Sequence, residues 1–268
     1  MSISKPRIES PCVKFCEFKG DKGTLVYFDK TIGEKGEQVE IKLPIYFIVL
    51  DELNTIKGYC KKANSGFYSN EVKDLGEILH VRTFKGGIEF VGKYKDIADR
   101  IKSLGGKFTK SVYALMLVKK GVTELVNFSF KGVAFSSWLD KKFNAEKFGV
   151  KFDDKFIEGK SGATTYLAPI FKPFDLSKYP DLLKEAVRLD TEVLQPYLKA
   201  YKTQTIERDE ALIEKVNAQA KEDSTYPHAE PDYENDIPPE DHQDDPPEGY
   251  EEIAAEMNDE DDDSGLPF

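Results

Sequence analysis

The sequence predicts a mainly β body, an antiparallel barrel with added helices, followed by a helical extension and a disordered acidic tail. Three observations carry this. Strand-length runs, apolar or alternating, recur from Val13 to Phe171 between turns rich in Gly and Lys. A long helical pattern follows from Ser177. The composition then changes abruptly near residue 221.

Residues 1–10 read as a flexible arm. Val13 to Phe18 and Thr24 to Phe28 are β-prone runs joined through Lys19-Gly20-Asp21-Lys22-Gly23, a hairpin-type turn. Gly33-Glu34-Lys35-Gly36 leads to a strand over Val39 to Leu43. Ile45 to Leu50 is apolar throughout and is expected to be buried on both faces. Ile56 to Lys61 and Leu79 to Phe84 alternate instead. Lys57, Tyr59 and Lys61 share one face of the first, and His80, Arg82 and Phe84 share one face of the second. Between them, Lys61 to Tyr68 reads as a basic loop ending in two rings, Phe67 and Tyr68.

Ile88 to Val91 is a further strand, and Tyr94 to Leu104 a helix stopped by Gly105-Gly106. Lys107 to Lys120 and Val122 to Lys131 form a pair of strands turning at Lys119-Lys120-Gly121. A helix lies within Gly132 to Phe148, with Trp138 on its apolar side and hence in the core. Gly159 to Gly162 reads as a loop and Tyr166 to Phe171 as the closing strand. The body spans residues 1–178 and the helical extension 179–220. Within the extension, Ser177 to about Lys202 carries a broad apolar stripe that Pro196 should kink or split. Thr205 to Ala220 reads as a second helix with a thin stripe, suited to packing on the body or on a second copy, so a homodimer is among the assemblies expected. Residues 221–268 are acidic, rich in Pro and poor in large aliphatics, which predicts disorder.

Charge divides the chain at the same place. Lys221 to Phe268 holds 19 acidic residues and one lysine, a net charge of −18, whereas Met1 to Ala220 carries +7. A mildly basic body beside an anionic segment suits a polyanion-binding domain whose own tail competes for the groove. The body is also rich in rings, and bases stack on exposed rings while cations hold phosphates. An antiparallel barrel with a basic and aromatic face points first to the OB-fold. The candidate contacts are Lys57, Tyr59, Lys61, Lys62, Phe67, Tyr68, Arg82, Phe84, Tyr113, Lys119, Lys120 and Lys131.

The last residues, Asp261-Asp262-Asp263-Ser264-Gly265-Leu266-Pro267-Phe268, join three carboxylates to an apolar hook. A tail serving solubility alone has no use for such a tip. A docking peptide needs both parts, Phe268 for a pocket and the carboxylates for a basic rim. The tip is similar to that of bacterial single-stranded DNA-binding proteins, which typically end Asp-Asp-Asp-Ile-Pro-Phe; here Ser264-Gly265 is inserted and Leu266 replaces the isoleucine. The body resembles the larger single-stranded DNA-binding proteins of tailed phages, which combine an OB-fold, added helices and an acidic tail ending in phenylalanine. Phe128-Ser129-Phe130-Lys131-Gly132 leading into Ser136-Ser137-Trp138-Leu139 also looks phage-like. The resemblance implies coating of single-stranded DNA in replication, recombination and repair. It further implies recruitment of a polymerase, helicase, primase or nuclease through Asp261, Asp262, Asp263, Leu266, Pro267 and Phe268, in the cytoplasm of an infected bacterium.

Other chemistries find weaker support. Cys12, Cys16 and Cys60 with His80 lack the close pairs of a zinc site. Gly159-Lys160-Ser161 resembles the end of a phosphate loop, but Asp154 stands where its first glycine is required. Asp51, Glu71 and Lys73 imitate a metal-dependent nuclease set, a three-residue pattern that arises often by chance. Two of the three histidines fall in the tail, against a His-based acid–base pair. No disulfide set, signal peptide or membrane-spanning run is legible. The expectation is a cytosolic protein without enzyme activity, cofactor or membrane partner, and an RNA-binding module with the same face is the alternative.

Overall fold

The computed structural model describes residues 8–33, 35–60, 64–84, 88–119, 121–145 and 148–223. The fold is mainly β, built on one large mixed sheet that does not close. Eleven strands contribute: β1 (Lys14–Lys19), β2 (Thr24–Asp29), β3 (Glu37–Ile41), β4 (Ile45–Cys60), β5 (Ser65–Ser69), β6 (Leu79–Thr83), β7 (Ile88–Gly92), β8 (Gly106–Lys119), β9 (Val122–Lys131), β10 (Gly149–Ser161) and β11 (Thr164–Phe174). Their order is β3-β2-β1-β9-β8-β4-β5-β6-β7, and the β10–β11 hairpin joins through β4. Helices α1 (Tyr94–Ser103) and α2 (Val133–Leu139) lie between strands, and α3 (Pro180–Leu189) and α4 (Gln195–Asp223) follow them.

The wholly antiparallel barrel expected above is thus corrected. β1 runs parallel to β9, with Cys16 opposite Phe128. Roughly a hundred residues separate the two strands, so no tight turn imposes a direction on the pair. Several local expectations change with it. The two strands read around Ile45 and Ile56 are one 16-residue strand, β4, with a register shift at Leu50. Tyr46 leaves that strand partly exposed on one side. Phe67 and Tyr68 belong to strand β5 rather than to a loop. Gly159 to Ser161 is likewise strand, the turn falling at Gly162, where φ is +56°.

The last change concerns the C-terminal helices, which form one nearly continuous rod. Asp190–Leu194 is a π-helical turn that ends two residues before Pro196. A proline lacks the N–H that would bond the carbonyl four residues back, and a π-turn is a common way of absorbing that loss. The separate helix expected from Thr205 is the continuation of α4.

One side of the sheet holds the main core. Phe47, Phe128, Phe130, Phe152 and Trp138 are fully buried there with Leu25, Val112 and Val126. The rings meet at 4.7 Å (Phe47–Phe128) and 5.1 Å (Phe130–Trp138), the spacing of attractive aromatic pairs. The indole N–H of Trp138 donates to Glu52 Oε2 at 3.1 Å, so its one polar atom is satisfied. The other side is crossed by the C-terminal rod. Leu194, Val193, Tyr197 and Leu198 cover Leu53, Tyr113 and Leu125, while Ala186, Leu182 and Leu189 cover Ile48 and Leu115. No described helix is long and apolar enough to cross a membrane.

Candidate nucleic-acid interface

The second side of the sheet also carries the residues read as contacts. Register makes the assignment. Lys57 lies opposite Tyr68 and Tyr68 opposite Arg82, so the three form one row across β4, β5 and β6. The next row holds Tyr59, opposite Gly66, and then Phe84, whose backbone N–H donates to the Gly66 carbonyl at 2.9 Å. Gly66 leaves room for this ring position, since a Cβ there would lie 2.5 Å from the Phe84 ring. The ring therefore lies down on the strand and meets Tyr68 at 5.0 Å with 31° between planes. The Arg82 guanidinium sits 5.9 Å from the centre of the Tyr68 ring. Phe84 is 73% exposed and Tyr59 53% exposed, and the Tyr59 hydroxyl bonds Asn64.

The cations near these rings are less free than the rings themselves. Lys57 donates from Nζ to Ser129 Oγ at 2.5 Å, and burial lowers its ammonium pKa. Lys131 pairs with Glu17 on β1. Burial tends to raise the Glu17 pKa, yet Lys131 and Lys19 together hold it below the ordinary value. Arg82 is only 5% exposed and pairs with Asp209 of α4. His80 Nδ1–H donates to the other Asp209 oxygen at 2.7 Å, and burial, then Arg82, lower the His80 pKa.

Several expected contacts lie elsewhere. Phe67 is 2% exposed and packs with Ile56, Leu79 and Ile101 on the core side, because β5 alternates and Tyr68 takes the outer position. Tyr113 is buried under the rod and donates to Glu71 Oε2 at 2.7 Å; burial and that carboxylate push its pKa far up. Neither ring is placed for stacking. Lys119 is exposed but stands at the far end of β8 from Lys107, about 40 Å along the strand at ~3.3 Å per residue. Lys61, Lys62, Lys120 and the tip residues Asp261 to Phe268 lie outside the described residues.

Three residues escaped the reading of the sequence. Lys107, opposite Lys57 in register, is exposed on the same face. Phe15 and Phe28, 54% and 53% exposed, continue that face onto β1 and β2. They stand one step beyond the pair Cys16–Tyr27, hence opposite each other. Part of the signal was local: Phe15 alternates with Cys16 and shares its side with Glu17, but nothing local says which face of the sheet that side joins.

The competing constellations come apart. Asp51 accepts from Lys73, from the Glu52 N–H at 2.7 Å and from Gln195 Nε2 at 3.1 Å. Glu71 accepts from Ser111 at 2.5 Å and from Tyr113. Both carboxylates are thereby committed to protein donors beneath the rod. Cys12, Cys16 and Cys60 fall in three different apolar clusters, and burial raises the Cys12 and Cys16 thiols to about 12.

No protein family, curated protein or solved structure matches this chain.

Proposed function

We propose that this chain binds single-stranded DNA with little sequence preference, in the manner of a phage single-stranded DNA-binding protein. The observation that carries the proposal is the ring trio Tyr59, Tyr68 and Phe84 on adjacent strands beside Lys57 and Lys107, with Phe84 73% exposed. Exposed rings grouped on one face, rather than scattered singly, mark an interaction surface. Stacking on such rings tolerates any base, and the exposed Lys107 can follow the backbone. Phe15 and Phe28 offer a second stacking position on the same face.

The corresponding fold reading is an elaborated OB-fold, supported by the largely antiparallel strand pairing and the aromatic face. The role that goes with it is non-enzymatic: protecting strands in replication, recombination and repair in an infected cell. The acidic terminal segment competes for the face and recruits replication proteins through Leu266-Pro267-Phe268.

The test is fluorescence anisotropy of labelled oligo-dT at low salt. Wild type should bind, and Tyr59→Ala with Phe84→Ala should weaken binding at least ten-fold, stacking being worth about 1–3 kcal/mol per base. Absence of oligo-dT binding by the wild type would overturn the proposal. Tighter binding of oligo-U than of oligo-dT would transfer it to RNA.

A further inference from the structure

Asp209 is the most buried carboxylate on the ring-bearing face, at 0% exposure, and it comes from a helix rather than from the sheet. One oxygen pairs with Arg82 and the other takes the His80 N–H at 2.7 Å. Arg82 stands in the same row as Lys57 and Tyr68, with its guanidinium beside the Tyr68 ring that Phe84 stacks on. An anion held by Arg82 and His80 therefore sits next to the stacking platform, where a strand lying on those rings would bring its backbone.

The part of α4 that delivers Asp209 is held differently from the part before it. Up to Leu198 the rod is packed by apolar side chains. Beyond Leu198, no described residue of α4 belongs to an apolar cluster. Apart from the Tyr201 ring, which stacks on Tyr197 of the same helix at 5.7 Å, the contacts there are polar: Lys202 Nζ to Glu77 at 2.6 Å, then Asp209 to Arg82 and His80. Ile206, between these clamps, is 38% exposed, and a cavity of about 20 Å³ remains among His80, Glu71, Tyr201, Thr205 and Asp209. Segments held mainly by polar contacts over incomplete packing belong to the low-stability end of a fold.

We infer that Arg82 and His80 form an oxyanion site for a backbone phosphate, and that Asp209 fills this site in the DNA-free chain. Strand binding exchanges the carboxylate for a phosphodiester and lifts α4 from about Tyr201 onward. The exchange is cheap in the terms that matter. Leaving Arg82 buried without an anion would be strongly unfavourable, whereas replacing one anion by another keeps it paired, and Asp209 regains water. This inference rests on the nucleic-acid reading of the face. It differs from competition by the segment beyond residue 223, since it names one carboxylate and the two residues it occupies.

Two measurements on the full-length chain test it. Hydrogen exchange of backbone amides 201–211 should quicken when oligo-dT saturates the protein; slower exchange there would overturn the inference without touching the binding reading. Asp209→Asn, which keeps the shape and removes the charge, should tighten oligo-dT binding about ten-fold by raising the open fraction. Unchanged or weaker binding by a folded Asp209→Asn protein would also overturn it. If that variant does not fold, the exchange experiment on the wild type decides alone. A wild type that fails to bind oligo-dT removes both the reading of the face and this site.

Discussion

Asp153 shows how much a single side chain organises at the edge of this fold. It is 2% exposed, yet it accepts from Lys172 at 2.5 Å, from Lys151 at 2.9 Å and from the backbone N–H of Asp154 at 3.0 Å. Lys151 and Lys172 face each other across β10 and β11, just where the register shifts between Phe152 and Phe156. One carboxylate thus satisfies both cations and an irregular backbone donor. Those bonds, led by the one from Lys172, hold its pKa well below the ordinary carboxylate range. Because the folded group titrates below the unfolded value of about 3.9, its stabilisation is present above that pH. It is lost as pH falls toward the folded value. Asp153→Asn should therefore lower the urea midpoint at pH 7, and the gap to wild type should narrow when both are measured near pH 3. A gap that stays constant with pH would assign the effect to shape rather than charge. Residue identity alone could not reveal this: Lys172 lies 19 residues from Asp153 in sequence, and only the hairpin register makes it meet Lys151 and Asp153.

Individual elements were legible where the local pattern was strong and blurred where polar residues interrupted it. β6 alternates as read, with Leu79 and Val81 fully buried. β4 was read as two strands because Asp51, Glu52 and Asn54 look like a break. They continue the strand because each polar group finds a partner: Lys73 and Gln195 for Asp51, Trp138 for Glu52, and the Lys73 carbonyl and Lys110 for Asn54. Gly66 offers a test at this scale. Gly66→Val would drive a side chain into the space of the Phe84 ring, which is free to swing into solvent. The ring should leave Tyr68, weakening oligo-dT binding several-fold while the thermal midpoint shifts by only a few degrees, the response to about 1 kcal/mol. Loss of binding together with a collapse of the midpoint would show that Gly66 serves the strand pairing instead.

The whole molecule is governed by its division of charge. A body of +7 is joined to a segment of −18 through the outer end of α4, the same stretch that brings Asp209 to Arg82. Removing Asp259 to Phe268 should tighten oligo-dT binding at low salt, and the gain should fade above ~0.15 M, where the screening length falls to about 8 Å. Equal affinities of the two chains at low salt would count against competition by the tail. At this scale the sequence by itself determined the mainly β class, the abrupt change of composition near residue 221, and which rings and cations alternate onto one face of a strand. These are local properties, set by a two-residue period and by side-chain chemistry. Only the tertiary structure decided that β1 lies parallel to β9, that Phe67 and Tyr113 are enclosed, and that Phe15 and Phe28 join the exposed face. Only the structure, too, placed the Asp209 carboxylate on Arg82, 127 residues away along the chain. Each of these depends on which distant segment arrives at a surface, and a strand's alternation names its two faces without saying what will cover either one.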